Sequence, residues 1–454
     1  MIKVMTYPGH FRAIAVLGLP LIGGHLAQFA IGLTDTVMLG WYGVEALAAV
    51  TLASSYFFVL FLFGAGFGLA VMPMVATAAA EENETSIRRS TRMGLWLSLI
   101  YAALTIPFLW WSYPIFILLK QEPQVAETAS QYLRVAGWGL IPALLVMVLK
   151  SYLAALERTQ IVLWITVAAA FVNGITNYAL IFGNWGAPEL GVMGAAIASV
   201  VTQIVSLICV VIYAVRALPE HSMFQRFWRP DWEMFSSVLK LGVPIGLTLL
   251  AEVTLFATSA IMMGWLGQVP LAAHGIALNL ASATFMVHLG LSNVATIRAG
   301  NALGRRDRAH LEKGAIAVTG MSLVVSVLTI VLFLTCAEPL ISLFMEADEP
   351  RRPQILAIGT GLLAMAALFQ LVDGAQVIAL GLLRGLQDAK IPMVMAALSY
   401  WVVGIPASYY FGFTRGMEGI GIWLGLVIGL ACAAVLLMAR FWLRSVREIG
   451  VPAE

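Results

Sequence analysis

The sequence predicts an all-α integral membrane protein of twelve transmembrane helices, arranged as two pseudo-symmetric six-helix bundles. Three observations carry that prediction. Charge is scarce, at 11% of 454 residues, with 61% hydrophobic residues and a mean hydropathy of +0.91; soluble domains are nearer a quarter charged. Twelve apolar runs reach about twenty residues or more, the length that spans a bilayer. The second half of the chain also repeats landmarks of the first at a fixed offset of 224 residues.

In chain order the spans fall near 11–35, 47–77, 93–118, 132–155, 161–182, 190–216, 239–265, 271–299, 314–337, 355–383, 391–413 and 418–442. The first run begins near Phe11 and is too long for the core of a cleavable signal, so it is expected to remain as a helix. Lys and Arg in the connections set the orientation. With the N-terminus in the cytoplasm, 21 of the 26 basic residues fall on the inside; Lys120, Arg134, Arg351, Arg352 and Arg415 fall outside. Both termini are then cytoplasmic. The net charge of +2 comes without a clustered basic face, which argues against a nucleic-acid partner. Cys209, Cys336 and Cys432 lie in separate apolar runs with no metal-binding or redox spacing, so packing is their expected role.

The longest polar connection, Ala217–Ser237, separates six spans from six. The expected organisation is therefore an N-lobe over 1–216, a cytoplasmic linker over 217–238 and a C-lobe over 239–454. Residues 17–49 match 241–273 without a gap at 13 of 33 positions. The matches include Leu17-Gly18 and Pro20 with Leu241-Gly242 and Pro244, and Gly40-Trp41 and Gly43 with Gly264-Trp265 and Gly267. An even number of spans per half makes the repeat parallel, with a pseudo-two-fold axis along the membrane normal. Pro20 and Pro244 predict bends in spans one and seven.

Three acids sit inside apolar spans: Asp35, Glu252 and Asp373. An ionised carboxylate in hydrocarbon costs several kcal/mol, so each needs a partner, a proton or a wet cavity. Glu252 lies twelve residues past Lys240, roughly 18 Å along the helix, and Asp373 eleven before Arg384, roughly 16 Å; both depths are mid-membrane. Asp35 falls toward the outer side. The repeat aligns Glu252 with Gln28 and Asp35 with Ser259, so the halves carry their acids on different rungs. Polar stripes accompany them: His25, Gln28 and Asp35 on span one; Thr248, Glu252 and Ser259 on span seven; Gln370, Asp373 and Gln376 on span ten; Thr166, Asn173 and Asn177 on span five. Such faces predict an aqueous cavity in each lobe. No Lys or Arg is evident beside the three acids. His25, His274 and His288 read as packing residues, and the Gly-rich Leu62–Gly68 as a close-packing helix face rather than a phosphate loop.

Four segments together resemble the multidrug and toxic compound extrusion (MATE) family, in its bacterial NorM-like branch. They are "GLTDTVMLGWYG" (Gly32–Gly43), "NYALIFGNWGAPELGVMGAAIAS" (Asn177–Ser199), "AEVTLF" (Ala251–Phe256) and "FQLVDGAQVIALGLLRG" (Phe369–Gly385). The resemblance covers nearly the whole chain. It implies a V-shaped pair of lobes, residence in the bacterial plasma membrane as a monomer, and export of cationic, aromatic drugs driven by sodium ions or protons, without other cofactors. It implies cation or substrate sites at Glu252 and Asp373, and a second ion or proton site at Asp35 with Asn173 and Asn177. Gln28 and Ser199 in the first half, and Gln370 and Phe369 in the second, are expected to support the cavities. Two departures stand out. Some sodium-coupled members carry Tyr where this chain has Phe369, and another branch carries Asp where it has Asn177.

A flippase or exporter of a lipid-linked precursor, with a related fold, is the near alternative; its anionic cargo would call for cationic residues in the cavity. An enzyme is not expected, because no HExxH, DDxxD or supported Ser/His/Asp grouping occurs. A channel would need a repeated filter motif, and none is present.

Overall fold

The computed structural model describes residues 5–345 and 349–449, and among these all regular structure is helical. Lys3, counted above among the inner basic residues, and the chain's last five residues lie outside the described range. Among the described residues twelve helices are long and apolar enough to cross a bilayer: α1 Tyr7–Tyr42, α2 Glu45–Ala80, α3 Glu84–Trp110, α4 Pro123–Ala155, α5 Thr159–Phe182, α6 Val192–Ala217, α7 Trp232–Leu266, α8 Gln268–Arg305, α9 Arg308–Thr335, α10 Arg352–Gly385, α11 Lys390–Thr414 and α12 Glu418–Glu448. In hydrocarbon every backbone group must bond within its own segment, which leaves the helix as the form these runs take.

Each expected span finds its helix, but several helices run past the apolar stretch. α7 begins at Trp232 and so contains Lys240; α10 runs to Gly385 and so contains Arg384. Span three is interrupted instead: α3 ends at Trp110 and a short helix, Ser112–Leu118, follows. Pro114 explains the break, because its ring clashes with the carbonyl four residues earlier, that of Trp110.

The repeat is written in the backbone. Helix breaks at Gly43 and Gly267 are 224 residues apart. Left-handed residues Glu82 (φ 56°) and Arg306 (φ 52°) keep the same offset. So do the helix caps that follow: Asn83 accepts from the Ser86 amide at 3.0 Å, and Asp307 from the His310 amide at 2.9 Å. Each cap satisfies a donor that the first helical turn leaves free.

The chain forms two compact units, and they do not divide at the polar linker. One holds Gly23–Gly246; the other holds the residues up to Ile22 and those from Leu247 onward. The sequence reading placed all of span one in the N-lobe and all of span seven in the C-lobe. In the structure the initial part of each belongs with the other set of helices. The two cut points are themselves 224 residues apart, each two residues past a proline, Pro20 or Pro244. The reason is a backbone-to-backbone approach. A Cβ on Gly66 of α2 would lie 2.5 Å from the Gly242 carbonyl oxygen and 2.6 Å from the Gly246 nitrogen of α7. A Cβ on Gly290 of α8, the repeat partner of Gly66, would lie 2.9 Å from the Ile22 nitrogen of α1.

The polar linker belongs to the 23–246 unit as a strap across α3. Arg92 donates to the carbonyls of Met223 (2.8 Å), Ser222 (3.1 Å) and Gln225, and Trp96 donates to that of Phe227 (2.9 Å). Buried Tyr152 meets His221 Nδ1 at 2.5 Å. Arg89 pairs with Asp231 and, at 2.8 Å, with Glu233. In the other unit α10 packs closely on α8: Ser292 donates to the Val377 carbonyl at 2.7 Å and Thr296 to that of Gly381 at 2.9 Å.

Two outcomes follow. Gly66→Ala and Gly290→Ala should each lower the melting temperature of purified protein, at a cost of about 1–3 kcal/mol from overpacking. Gly320→Ala on α9, where nothing lies within 4 Å of the added methyl, should leave it unchanged or raise it. The strap should loosen in acid. Burial holds the His221 imidazole below its ordinary range, and the hydrogen bonds from Arg89 hold the Asp231 carboxyl below the usual carboxylate range. A depressed pKa stabilises the fold above the ordinary value and loses that contribution as pH falls, for His221 from about pH 6.5 downward and for Asp231 from about pH 4. With a protease active across the range, cleavage within 217–231 should be slow at pH 7.5 and faster near pH 5.5, and Arg92→Ala should speed it at both.

Candidate functional site

Each unit has a cavity lined by an intramembrane acid. In the 23–246 unit the cavity measures about 410 Å³. Asp35 contributes from α1, Phe57 and Phe58 from α2, Tyr132 from α4, Asn173 from α5, and Ser199 from α6. Asn177 donates to an Asp35 carboxylate oxygen at 2.5 Å and to the Asn173 side-chain oxygen at 3.2 Å. Asn173 and Asn177 are one helical turn apart, so both amides present on one face of α5. That arrangement leaves Asn173 Nδ2 and Asn177 Oδ1 buried without a hydrogen-bond partner among the described residues.

The second cavity, about 160 Å³, lies between α7, α8 and α10. Glu252 and Phe256 line it from α7, Phe285 from α8, and Phe369 and Asp373 from α10. Each acid is one turn from an aromatic ring. Phe369 packs edge-on against Phe256 (ring centroids 5.9 Å) and against fully buried Trp423 (5.6 Å). Trp423 is fixed in turn by its indole N–H, which donates to His274 Nδ1 at 3.1 Å. Asp373 is buried at 2% exposure, and its Oδ1 has no hydrogen-bond donor among the described residues. Gln370 and Gln376, on the same helix, each use the amide nitrogen and leave the oxygen without a donor. Gln370 donates to the Ala281 carbonyl at 2.8 Å, and Gln376 to the Tyr400 hydroxyl at 2.5 Å. α10 thus carries three buried oxygens without donors, at 370, 373 and 376. Of the three, only Asp373 lines the cavity.

The structure brings together Asp35, Asn173 and Asn177, with Ser199 on the same cavity, and separately Glu252, Asp373 and Phe369. Gln370 lies one turn from Asp373 and is committed to α8. Gln28 is exposed and lines neither cavity; on its helix only the Asp35 end of the polar stripe does. Ser259, at the position matching Asp35, donates back to its own helix at the Phe256 carbonyl (2.7 Å). His288 is held by Ser322 at 2.9 Å, as a packing residue would be.

Four residues were not foreseen. Tyr132 lines the larger cavity, but its sequence context reads as the polar start of a span. Fully buried Tyr400 sits on a π-helical turn of α11, Ser399–Gly404; wider turns of this kind occur often at functional sites. Lys150 and Arg384 were counted as basic residues of the inner connections, yet they lie within α4 and α10. Lys150 donates to Thr166 at 2.7 Å, and Arg384 is only 8% exposed. The length of the helices, not the residue type, was the missing signal.

Fold and cavities define a multi-pass membrane protein with an acid-lined cavity in each of two helical units. The family model MatE matches residues 20–179 and 244–410, and the chain belongs to that family. A "Probable multidrug resistance protein NorM" of Rhizobium meliloti (strain 1021) is 43% identical, covering 99% of this chain and 96% of the relative. One of the same description from Agrobacterium fabrum is 45% identical, over 97% and 95%. Among solved structures, the eukaryotic MATE transporter AtDTX14 matches with a TM-score of 0.86 at 17% identity, covering 98% of both chains. A multidrug resistance MATE family transporter of the MOP superfamily, in an outward-facing conformation, matches with a TM-score of 0.87 at 20% identity over 99% of both. At that identity the likeness speaks to the fold.

The amide donor to Asp35 is open to test. Asn177→Val should lower thermal stability by about 1–3 kcal/mol, the usual cost of orphaning a buried partner. Adding Asp35→Asn should recover part of that loss, and a double-mutant cycle in melting experiments would measure the coupling.

Proposed function

We propose that this protein is a cation-coupled antiporter that exports cationic, amphipathic drugs from the cytoplasm in exchange for sodium ions or protons. One observation carries the reading: Glu252 and Asp373 share an aromatic-walled cavity among apolar helices, and Asp373 keeps an oxygen without a donor. The multidrug resistance named in the relatives' descriptions supports it. The basic residues favouring the inner side support a plasma-membrane protein with both termini in the cytoplasm.

The chain's role is to offer one anionic site to two kinds of cation. A drug is held by the carboxylates and by contact with Phe256, Phe285 and Phe369. A sodium ion takes the same carboxylates with neutral oxygens, and a proton takes a carboxylate alone. Occupancy by one excludes the other, so the two flows are coupled. The strength of coupling is the difference in affinity between the two access states. Asp35, with Asn173 and Asn177, provides a second cation site in the other unit. The flippase alternative is disfavoured by the cavity walls, since neither lining includes Lys or Arg.

Ethidium efflux from proteoliposomes, driven separately by a sodium gradient and by a pH gradient, tests the reading. Glu252→Gln and Asp373→Asn should each lower the driven rate at least about tenfold, equivalent to about 1.4 kcal/mol. Asp35→Asn in the same assay reports on the second site. Unchanged efflux in both C-terminal variants would overturn the exchange site at Glu252 and Asp373.

A further inference from the structure

Behind the aromatic wall of the Glu252–Asp373 cavity lies a buried hydrogen bond between two rings. His274 of α8 is 1% exposed and Trp423 of α12 is 0% exposed. The Trp423 indole N–H donates to His274 Nδ1 at 3.1 Å, and the ring centroids are 5.7 Å apart at 69°. Trp423 stands edge-on to Phe369 (5.6 Å, 76°), and Phe369 edge-on to Phe256 (5.9 Å, 66°). Phe256 and Phe369 line the cavity, whereas His274 and Trp423 stand behind them. Rings from α8, α12, α10 and α7 thus form one chain of contacts that ends at the cavity.

The bond also fixes the tautomer. Nδ1 accepts only while unprotonated, which places the imidazole proton on Nε2. Nε2 is buried and has no hydrogen-bond partner among the described residues. A leucine would occupy this place without stranding a donor, and stranded donors are costly. What the imidazole adds is an acceptor for the indole. Apolar contacts alone leave a buried indole two opposite orientations about χ2, and a hydrogen bond at one edge selects between them. The ring that backs Phe369 is therefore set by α8.

We propose that His274 is a positioning residue for the drug: by holding the Trp423 indole in one orientation, it fixes the Phe369 ring against which an aromatic cation packs. This rests on the reading of Glu252 and Asp373 as the exchange site. Aromatic contacts depend on the angle at which rings meet, so a wall fixed in advance binds an aromatic cargo more tightly than a loose one. A coupling ion has no ring. It takes the carboxylates and is indifferent to the orientation of Phe369. The His274–Trp423 bond therefore serves drug affinity and leaves coupling-ion affinity alone.

The experiment measures initial rates of ethidium efflux from proteoliposomes, varying ethidium and the coupling ion in turn. Wild type, His274→Leu, His274→Asn, Trp423→Phe and His274→Leu/Trp423→Phe are compared. His274→Leu should raise the KM for ethidium about fivefold, the worth of one well-placed aromatic contact. Its kcat and its half-saturating concentration of coupling ion should stay at the wild-type values, as expected when only cargo binding is weakened. His274→Asn keeps an acceptor on Cγ, where Nδ1 was, and should restore the wild-type KM. The double variant should be no worse than His274→Leu, because both changes remove the same bond. A folded His274→Leu with a lower kcat at unchanged KM overturns the proposal, since that is what a purely structural role predicts. An Asn variant as impaired as the Leu variant also overturns it. If His274→Leu does not fold, Trp423→Phe decides: it keeps a ring behind Phe369 and removes the donor, so KM alone should rise, and an unchanged KM overturns the proposal. Failure of the underlying reading is recognised separately, by wild-type ethidium efflux in Glu252→Gln and Asp373→Asn.

Discussion

Two close approaches of backbone to backbone organise this molecule. At Gly66 the initial part of α7 lies against α2, and at Gly290 the initial part of α1 lies against α8. A side chain at either glycine would collide with main-chain atoms. Lipid offers helices no hydrophobic drive to associate, so contact area between small residues must supply it. The two sites are repeat partners, and the exchange they hold together is reciprocal. With the first stretches of α1 and α7 so placed, the remainder of each helix carries its acid, Asp35 or Glu252, to a cavity wall in the unit that receives it.

The polar interior follows a second rule, that each buried donor or acceptor finds a partner or faces a cavity. Around α10 nearly every polar group is spoken for by a neighbouring helix. Ser292 and Thr296 bond its carbonyls, Gln370 bonds the backbone of α8, and Gln376 bonds Tyr400. What remains is a row of oxygens, with Asp373 at its centre. The aromatic stack of Phe256, Phe369 and Trp423 closes the same wall with apolar surface.

Much of the architecture was legible because hydrocarbon is an unforgiving solvent. Apolar length located all twelve helices, and matching Pro, Trp and Gly exposed the repeat. The acids were legible for the same reason, since Asp35, Glu252 and Asp373 break an otherwise apolar pattern. Helix ends were less so: α7 and α10 both contain basic residues, Lys240 and Arg384, that in sequence look like the ends of apolar spans. The division into units was hidden altogether. It depends on which glycines meet a backbone, and Gly66 and Gly290 look no different in sequence from Gly320, which meets nothing. Tyr132 and Tyr400 escaped notice because tyrosine is common near membrane interfaces. Gln28 shows the converse, a polar residue on the expected face that lies beyond the cavity's reach.

The exchanged half-helices also constrain how the chain is made. Residues 7–22 of α1 precede the 23–246 unit in the chain, yet their partner α8, with Gly290 against Ile22, follows it. The 23–246 unit, for its part, lacks the stretch of α7 that covers Gly66 until synthesis has passed the linker. The 23–246 unit is continuous in the chain, whereas the other unit is drawn from stretches on either side of it. The start of α1 cannot meet Gly290 before α8 has been made. Both close approaches, at Gly66 and at Gly290, therefore require α7 and α8, which are adjacent in the chain.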